Sequence, residues 1–529
     1  MSPSEKYYSQ AERAHQQKLS GHGDCANRPW PAQRYQFIIN IFNYLDDCLV
    51  LSIYCLARLL HCVVPSFLLR HASSSSRAEK RKQTQKIASL DGLRGIACLF
   101  VFHAHYAYSF HNWYEGVDIE NMKTRFMYQP FVSLLWSGVA MVDIFFFISG
   151  YVLVSKSVRL IREQNVSQAF STISSAVFRR ALRLYLPSMA IILISAISAQ
   201  FGLFNAGNKY FLHVHYDAAG PSEQPPPRLG SLVAQLYDGL KDCYRLTDNT
   251  IPWGKFNFAY EEDWNARPSG TVYDKHLWTI PVEFKCSMLI FMILIATARL
   301  RATWRLSVHT LFLVNCLFTE RFSEFLFIAG MIFSELDAIR QETESIKISD
   351  TTMTLLRTNA GTLLKNAINV TLFISGLFLL SMPPLGANEW PQYHAVLEWV
   401  PKYIVDKDRF ARAIGAIMAT WPASTSTLLA PLFTNSVSQY LGQISFALYL
   451  VHGPVIKSIW YALQPKFASM ITRAQIPDMQ THNFTLLCLL GYMVLLPTVI
   501  CCADLFWRTI DQRSVTFARW VEDRAKRQR

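Results

Sequence analysis

Ten mostly apolar stretches run through this 529-residue chain, at about 88–110, 131–154, 184–204, 276–298, 306–319, 322–335, 366–383, 410–432, 438–462 and 484–507. A helix that crosses a bilayer needs ~20 apolar residues in a row, and most of these stretches meet that length; the fifth and sixth are short. They impose one fold class: an all-α, polytopic transmembrane helix bundle of about ten spans. The composition fits, with 51% hydrophobic and only 17% charged residues and a positive mean hydropathy of +0.16. The length would allow several soluble domains, but the apolar runs are too long and too frequent for them.

The formal net charge of +13 is not a nucleic-acid signature, because the cations gather in short tracts beside apolar runs, where they report topology. Arg77, Lys80, Arg81, Lys82 and Lys86 precede the first stretch, and Lys156, Arg159, Arg162, Arg179, Arg180 and Arg183 separate the second from the third. Both tracts are expected on the cytosolic side. Arg299, Arg301 and Arg305 and the tail Arg519, Arg524, Lys526, Arg527 and Arg529 agree if there are ten spans. Three regions follow: 1–87, a cytosolic N-terminal tail with an amphipathic segment at 36–70 and a Ser-rich basic linker; 88–507, the membrane domain; and 508–529, a basic cytosolic tail. The 205–275 loop falls on the opposite side and is long enough to form a cap. It holds a single cysteine, Cys243, so no disulfide is internal to it. The eleven cysteines of the chain show no metal-type pairing. The first 35 residues lack the apolar stretch of a cleavable signal, so a later membrane helix is expected to target the chain, to the endoplasmic reticulum or the plasma membrane.

Within the first stretch stand two groups that lipid disfavours. Arg94 and His105 are eleven residues apart, which at ~100° per residue returns the second side chain to within roughly 20° of the first, ~16 Å along the axis. His103 points to the other side of the same helix. A charged side chain at mid-bilayer costs ~2.5–3.5 kcal/mol on insertion scales, so a pair on one stripe marks a functional site. Asp143 and Glu283 are further acids within apolar stretches, and His452 follows Tyr449 by one helical turn.

Five patterns occur in an order that resembles the acyltransferase-3 family of integral-membrane O-acyltransferases: Ser89–Gly95 (SLDGLRG) with His105; Val142–Gly150 (VDIFFFISG); Phe178–Arg183 (FRRALR); His276–Glu283 (HLWTIPVE); and Ile444–His452 (ISFALYLVH). Two departures are local: Ala140 and Met141 separate Gly138-Val139 from Asp143, and Pro281 replaces a small or apolar residue. The resemblance implies transfer of an acyl group, acetyl or another short one, from acyl-CoA to a hydroxyl of a sugar, a lipid or a small secondary metabolite, with no metal.

The chemistry can be argued beside the resemblance. An alcohol is a weak nucleophile and needs a base, and an imidazole with a pKa near 6.5 supplies one without large tuning. His105 takes that role, whether by direct attack of the hydroxyl or through an acyl-histidine. Arg94 could stabilise an oxyanion, pair with Asp91 or grip a CoA phosphate, or only reach for the membrane edge. Arg179, Arg180 and Arg183 could bind the CoA phosphates or serve topology alone. Glu283 could orient His105 or form a structural ion pair, and Asp143 could organise the site or pair helices. His103, Trp278, Tyr449 and His452 are further pocket candidates. A proton-coupled transporter built on the same charged residues, or a catalytically silent scaffold, remains the alternative.

Overall fold

The computed structural model describes residues 65–66, 85–109, 129–213, 224–248, 271–349, 359–383, 387, 390–472 and 482–526. The N-terminal tail and nearly all of the amphipathic segment and basic linker lie outside the described residues. Residues from Pro65 onward belong to one unit, and among the described residues every regular element is a helix.

The elements are α1 (Gln85–Tyr108), α2 (Gly138–Arg162), α3 (Val166–Gln200), α4 (Asn205–His213), α5 (Leu232–Asp248), α6 (Thr279–Thr297), α7 (Ala302–Phe318), α8 (Phe322–Ser349), α9 (Asn359–Leu380), α10 (Pro391–Glu398), α11 (Lys407–Thr425), α12 (Ala430–Thr434), α13 (Ser436–Val455), α14 (Tyr461–Thr472), α15 (His482–Phe506) and α16 (Gln512–Ala525). Among the described residues, seven helical stretches are long and apolar enough to cross a membrane: 86–108, 138–162, 166–200, 275–297, 363–380, 436–471 and 482–525. The other three expected spans coincide with α7, α8 and α11. These are helices, but α7 has only 17 residues, α8 carries Glu324, Glu335 and Asp337, and α11 carries Lys407, Asp408, Arg409 and Arg412.

The bundle neutralises the acids of α8. Glu335, fully buried, accepts from Arg305 at 2.5 Å and from Arg162 at 3.0 Å. Asp337 meets the Lys86 ammonium at 2.8 Å and the Tyr151 hydroxyl at 2.8 Å, and Lys86 also lies over the ring of Trp421. Such pairs let a charge-bearing helix sit inside an apolar bundle, because each partner offsets the other's desolvation.

One pairing positions the site. α1 and α13 run side by side in the same direction, offset by 347 residues where the Cys98 thiol meets the Ser445 carbonyl at 3.0 Å and by 351 where Arg94 meets the Ser445 hydroxyl. Gly95 and Gly442 make this approach possible. A Cβ on Gly95 would collide with the backbone of Leu441 and Gly442, and one on Gly442 with the carbonyl of Asp91, the small-residue contact expected between membrane helices. The offset of 347 carries His105 to the level of His452.

The 205–275 region contains two helices among its described residues, α4 and α5. Gly239 of α5 rests on Ala196 of α3, and Cys243 is a buried free thiol. At the C-terminal end the helix does not stop at 507. It passes through a π turn at Trp507–Asp511 into α16, which is held to α3 by an Arg179–Glu522 contact of 3.1 Å.

Candidate active site

Helical register separates the two histidines of α1. His103 faces α15, where its Nε2 and the Tyr492 hydroxyl are 2.5 Å apart. His105 faces α13 and the short 3-10 turn Lys275–Trp278, with ring centroids 3.8 Å from His276 and 5.1 Å from His452. His276 and His452 stack at 4.8 Å, with their planes 23° apart. Three imidazoles therefore share one locus, contributed by three separate segments.

Local structure explains how each is aimed. Asp274 caps the 3-10 turn by accepting from the His276 backbone N–H at 3.3 Å, and the same Oδ1 lies 2.7 Å from His276 Nδ1. The Lys457 ammonium, fully buried, lies 3.5 Å from that oxygen. Lys457 comes from a π turn, Ile456–Trp460, which follows Pro454; proline cannot continue the ordinary hydrogen-bond ladder. Gly453 admits the arrangement, since a Cβ there would stand 2.6 Å from His276 Nδ1 and 2.9 Å from Asp274 Oδ1. The Tyr449 hydroxyl donates to the His276 carbonyl and lies 2.6 Å from the Thr279 hydroxyl. His452 Nδ1 donates to the Leu448 carbonyl at 3.2 Å. Burial alone would raise the Asp274 carboxyl, but the charges of His276 and Lys457 outweigh it and hold that group well below the usual carboxylate range.

The trio offers three nitrogen donors within 4.8 Å of one another. Nitrogens on one tetrahedral zinc, with bonds of ~2.0–2.1 Å, stand roughly 3.4 Å apart, so this spacing is loose for a metal. The carboxylate and ammonium beside it suit proton handling instead.

A second polar layer lies toward the other end of α1. Arg94 Nε donates to Ser445 Oγ at 3.0 Å and its Nη2 to the Gly442 carbonyl at 2.9 Å, with Asp91 at 3.5 Å. Glu283 accepts from Arg180 at 2.5 Å and from Ser149 at 2.7 Å, and Arg180 also donates to Ser287. Of the two roles open to Glu283, the ion pair is the one built, seven residues beyond His276, or ~10 Å along a helix. The arginine tract divides: Arg179 reaches Glu522, Arg180 is buried against Glu283, and Arg183 is exposed. Arg183 lies in electrostatic range of Arg94 and Asp511. Asp143 is buried, in range of Arg412 and Arg409 of α11. Trp278 is half-buried.

Sequence reasoning missed Asp274, His276 and Lys457. His276 stood inside a recognised pattern without a role. Lys457 carried the signal that singled out Arg94, a cation inside an apolar stretch, and the Asp-x-His spacing carried another.

A model of the family described as "Acyltransferase domain", acyltransferase-3, matches residues 87–508. An O-acetyltransferase, PaAT-1, of Phomopsis amygdali is 31% identical over 467 residues, covering 86% of this chain and 88% of that protein. Acyltransferase clz18 of Cochliobolus lunatus and acyltransferase R4 of Phoma sp. are each 25% identical, over 402 and 401 residues, covering 69% of this chain and 81% of each relative. No solved structure matches the chain.

Proposed function

Because the chain belongs to the acyltransferase-3 family, we propose that it moves a short acyl group from acyl-CoA to a hydroxyl of a small metabolite, sugar or lipid, with His105 as the base. The observation that carries this reading is the position of His105, in close tilted contact with one imidazole and beside another, in a domain whose relatives are named acyltransferases.

The acceptor hydroxyl gives its proton to the His105 imidazole as its oxygen bonds to the thioester carbonyl carbon. The tetrahedral adduct then collapses, the C–S bond breaks and CoA leaves as the thiol after taking the proton back. Arg94 and Arg183 form the cationic layer ~16 Å from His105 along α1, the kind of separation that a long pantetheine arm bridges between its phosphates and its thioester. Arg180 is already neutralised by Glu283 and Arg179 reaches Glu522, so the exposed Arg183, with the more weakly paired Arg94 in its electrostatic range, is the donor-binding arginine. In this reading both termini face the cytosol with the cationic layer, and the bilayer is the remaining partner.

The test is CoA release from acetyl-CoA by membranes carrying the wild-type chain or His105→Ala, with hydroxyl acceptors supplied and products weighed by mass spectrometry. A general base contributes ~10²–10⁴-fold, so a product one acetyl heavier should fall by that factor in the variant. Transfer that survives at the wild-type rate removes His105 as the base, and no CoA release from either chain across several donors removes the acyl-CoA reading.

A further inference from the structure

His105 and His276 are too close for both to be charged. At a centroid separation of 3.8 Å two imidazolium rings repel strongly even where the effective dielectric is high, so the pair titrates as a unit rather than as two independent groups. The surroundings of the two rings differ. His276 has the Asp274 carboxylate 2.7 Å from its Nδ1, with the Lys457 ammonium 3.5 Å from the same oxygen. It also has the Tyr449 hydroxyl on its carbonyl and His452 stacked on its ring. His105 meets His452 at 5.1 Å and the edge of Tyr108 at 5.7 Å. The carboxylate touches His276.

We propose that the pair holds a single proton and that Asp274 keeps it on His276, so that His276 is the electrophilic partner of the reaction while His105 stays neutral and acts as the base. This rests on the acyltransferase reading above and assigns within it a division of labour between two adjacent imidazoles. Asp274 is the positioning residue. As the acceptor O–H proton passes to His105 and the C–O bond forms, the carbonyl π pair moves onto the thioester oxygen, and the His276 imidazolium offsets that charge. Asp274, Lys457 and His276 together carry one positive charge at rest, which the oxyanion neutralises; charge placed in advance where a negative charge will develop is the most effective form of electrostatic catalysis. Collapse restores the C=O bond, breaks the C–S bond and returns the proton from His105 to the thiolate.

The first test reads protonation in the wild-type chain and uses single substitutions only to assign the signals. In ¹⁵N-histidine-labelled protein in lipid nanodiscs at pH 7, the signal that disappears in His276→Gln should show both ring nitrogens protonated, and the signal that disappears in His105→Gln should show a neutral ring. A neutral His276, or a cationic His105, overturns the proposal. The second test is the acid limb of kcat/KM against pH, which reports the free enzyme's base. Removing the neighbouring cation with His276→Gln, or its support with Asp274→Asn, lets His105 protonate at higher pH, so the limb should move up by about one unit or more. A merely structural role would lower the whole profile and leave the limb where it is, and that result, or a downward shift, also overturns the proposal. The nanodisc spectra do not depend on turnover, so a chain that places the proton on His276 but transfers no acyl group refutes the reaction and leaves the proton assignment standing.

Discussion

Gly453 shows how little room the site leaves at the residue scale. The His276 ring and the Asp274 carboxylate lie where its side chain would be, so Gly453→Ala must push both away. Overpacking of this kind costs ~1–3 kcal/mol, and the substitution should lower the thermal midpoint modestly while reducing acyl transfer far more, because the change falls on the imidazole locus. Equal losses in stability and turnover would show that the close approach matters only for packing. The Arg180–Glu283 pair is expected to behave differently. Removing one partner leaves a poorly solvated charge, a loss of ~3–5 kcal/mol for a buried pair, reduced here by the exposure that Glu283 retains. Arg180→Met paired with Glu283→Met should recover much of the stability lost by either single change, as read from thermal unfolding in detergent. Failure of the double variant to recover would assign the pair a role beyond structure. Arg94, His105 and His103 were legible as residues from helical arithmetic alone, which put the first two on one face and the third on another. Asp274 and Lys457 were not, because their meaning lies in a contact between segments 183 positions apart, which no local periodicity records.

At the scale of elements, the contact between α1 and α13 sets the register of the site. Gly95→Leu or Gly442→Leu would force the two helices apart along their whole shared length, since each collision is with backbone rather than with a flexible side-chain end. The expected result is loss of folded protein or of acyl transfer with either residue, measured by monodispersity and product formation. An active, well-folded Gly95→Leu protein would mean that the close approach is dispensable. Apolar length located α1, α6 and α15 close to the expected places, whereas α2 is displaced toward the C-terminus and α3 begins at Val166, well before the stretch expected from 184. The signals are weaker for α7, α8 and α11, because α7 has only 17 residues and the charges of α8 and α11 lower their hydropathy. In α8 they are cancelled by partners from other helices, Arg305, Arg162 and Lys86. The continuation of the last span into α16 was likewise hidden by its basic composition, which reads as a tail until the Arg179–Glu522 contact is seen.

Over the whole molecule, two polar layers are separated along α1, one cationic and one built of imidazoles. If the cationic layer receives the donor, Arg183→Ala should raise KM for acetyl-CoA with little change in kcat, whereas changes at the histidine locus should act on kcat; a loss of kcat alone in Arg183→Ala would detach that residue from donor binding. The family assignment, the helical architecture and the place of His105 could all be read from ordered patterns along the chain. The locus itself is non-local, and that has a consequence for how the protein is made. His105 emerges from the ribosome early and His452 late, so α1 must enter the membrane with its His105 face uncovered and wait for most of the chain to be synthesised before α13 closes over it. A nascent or truncated form that ends before Ser436 lacks His452 and is expected to transfer no acyl group, and it exposes in α1 an arginine, a histidine and a glycine seam that lipid accommodates poorly, features by which membrane quality control would recognise an unfinished chain.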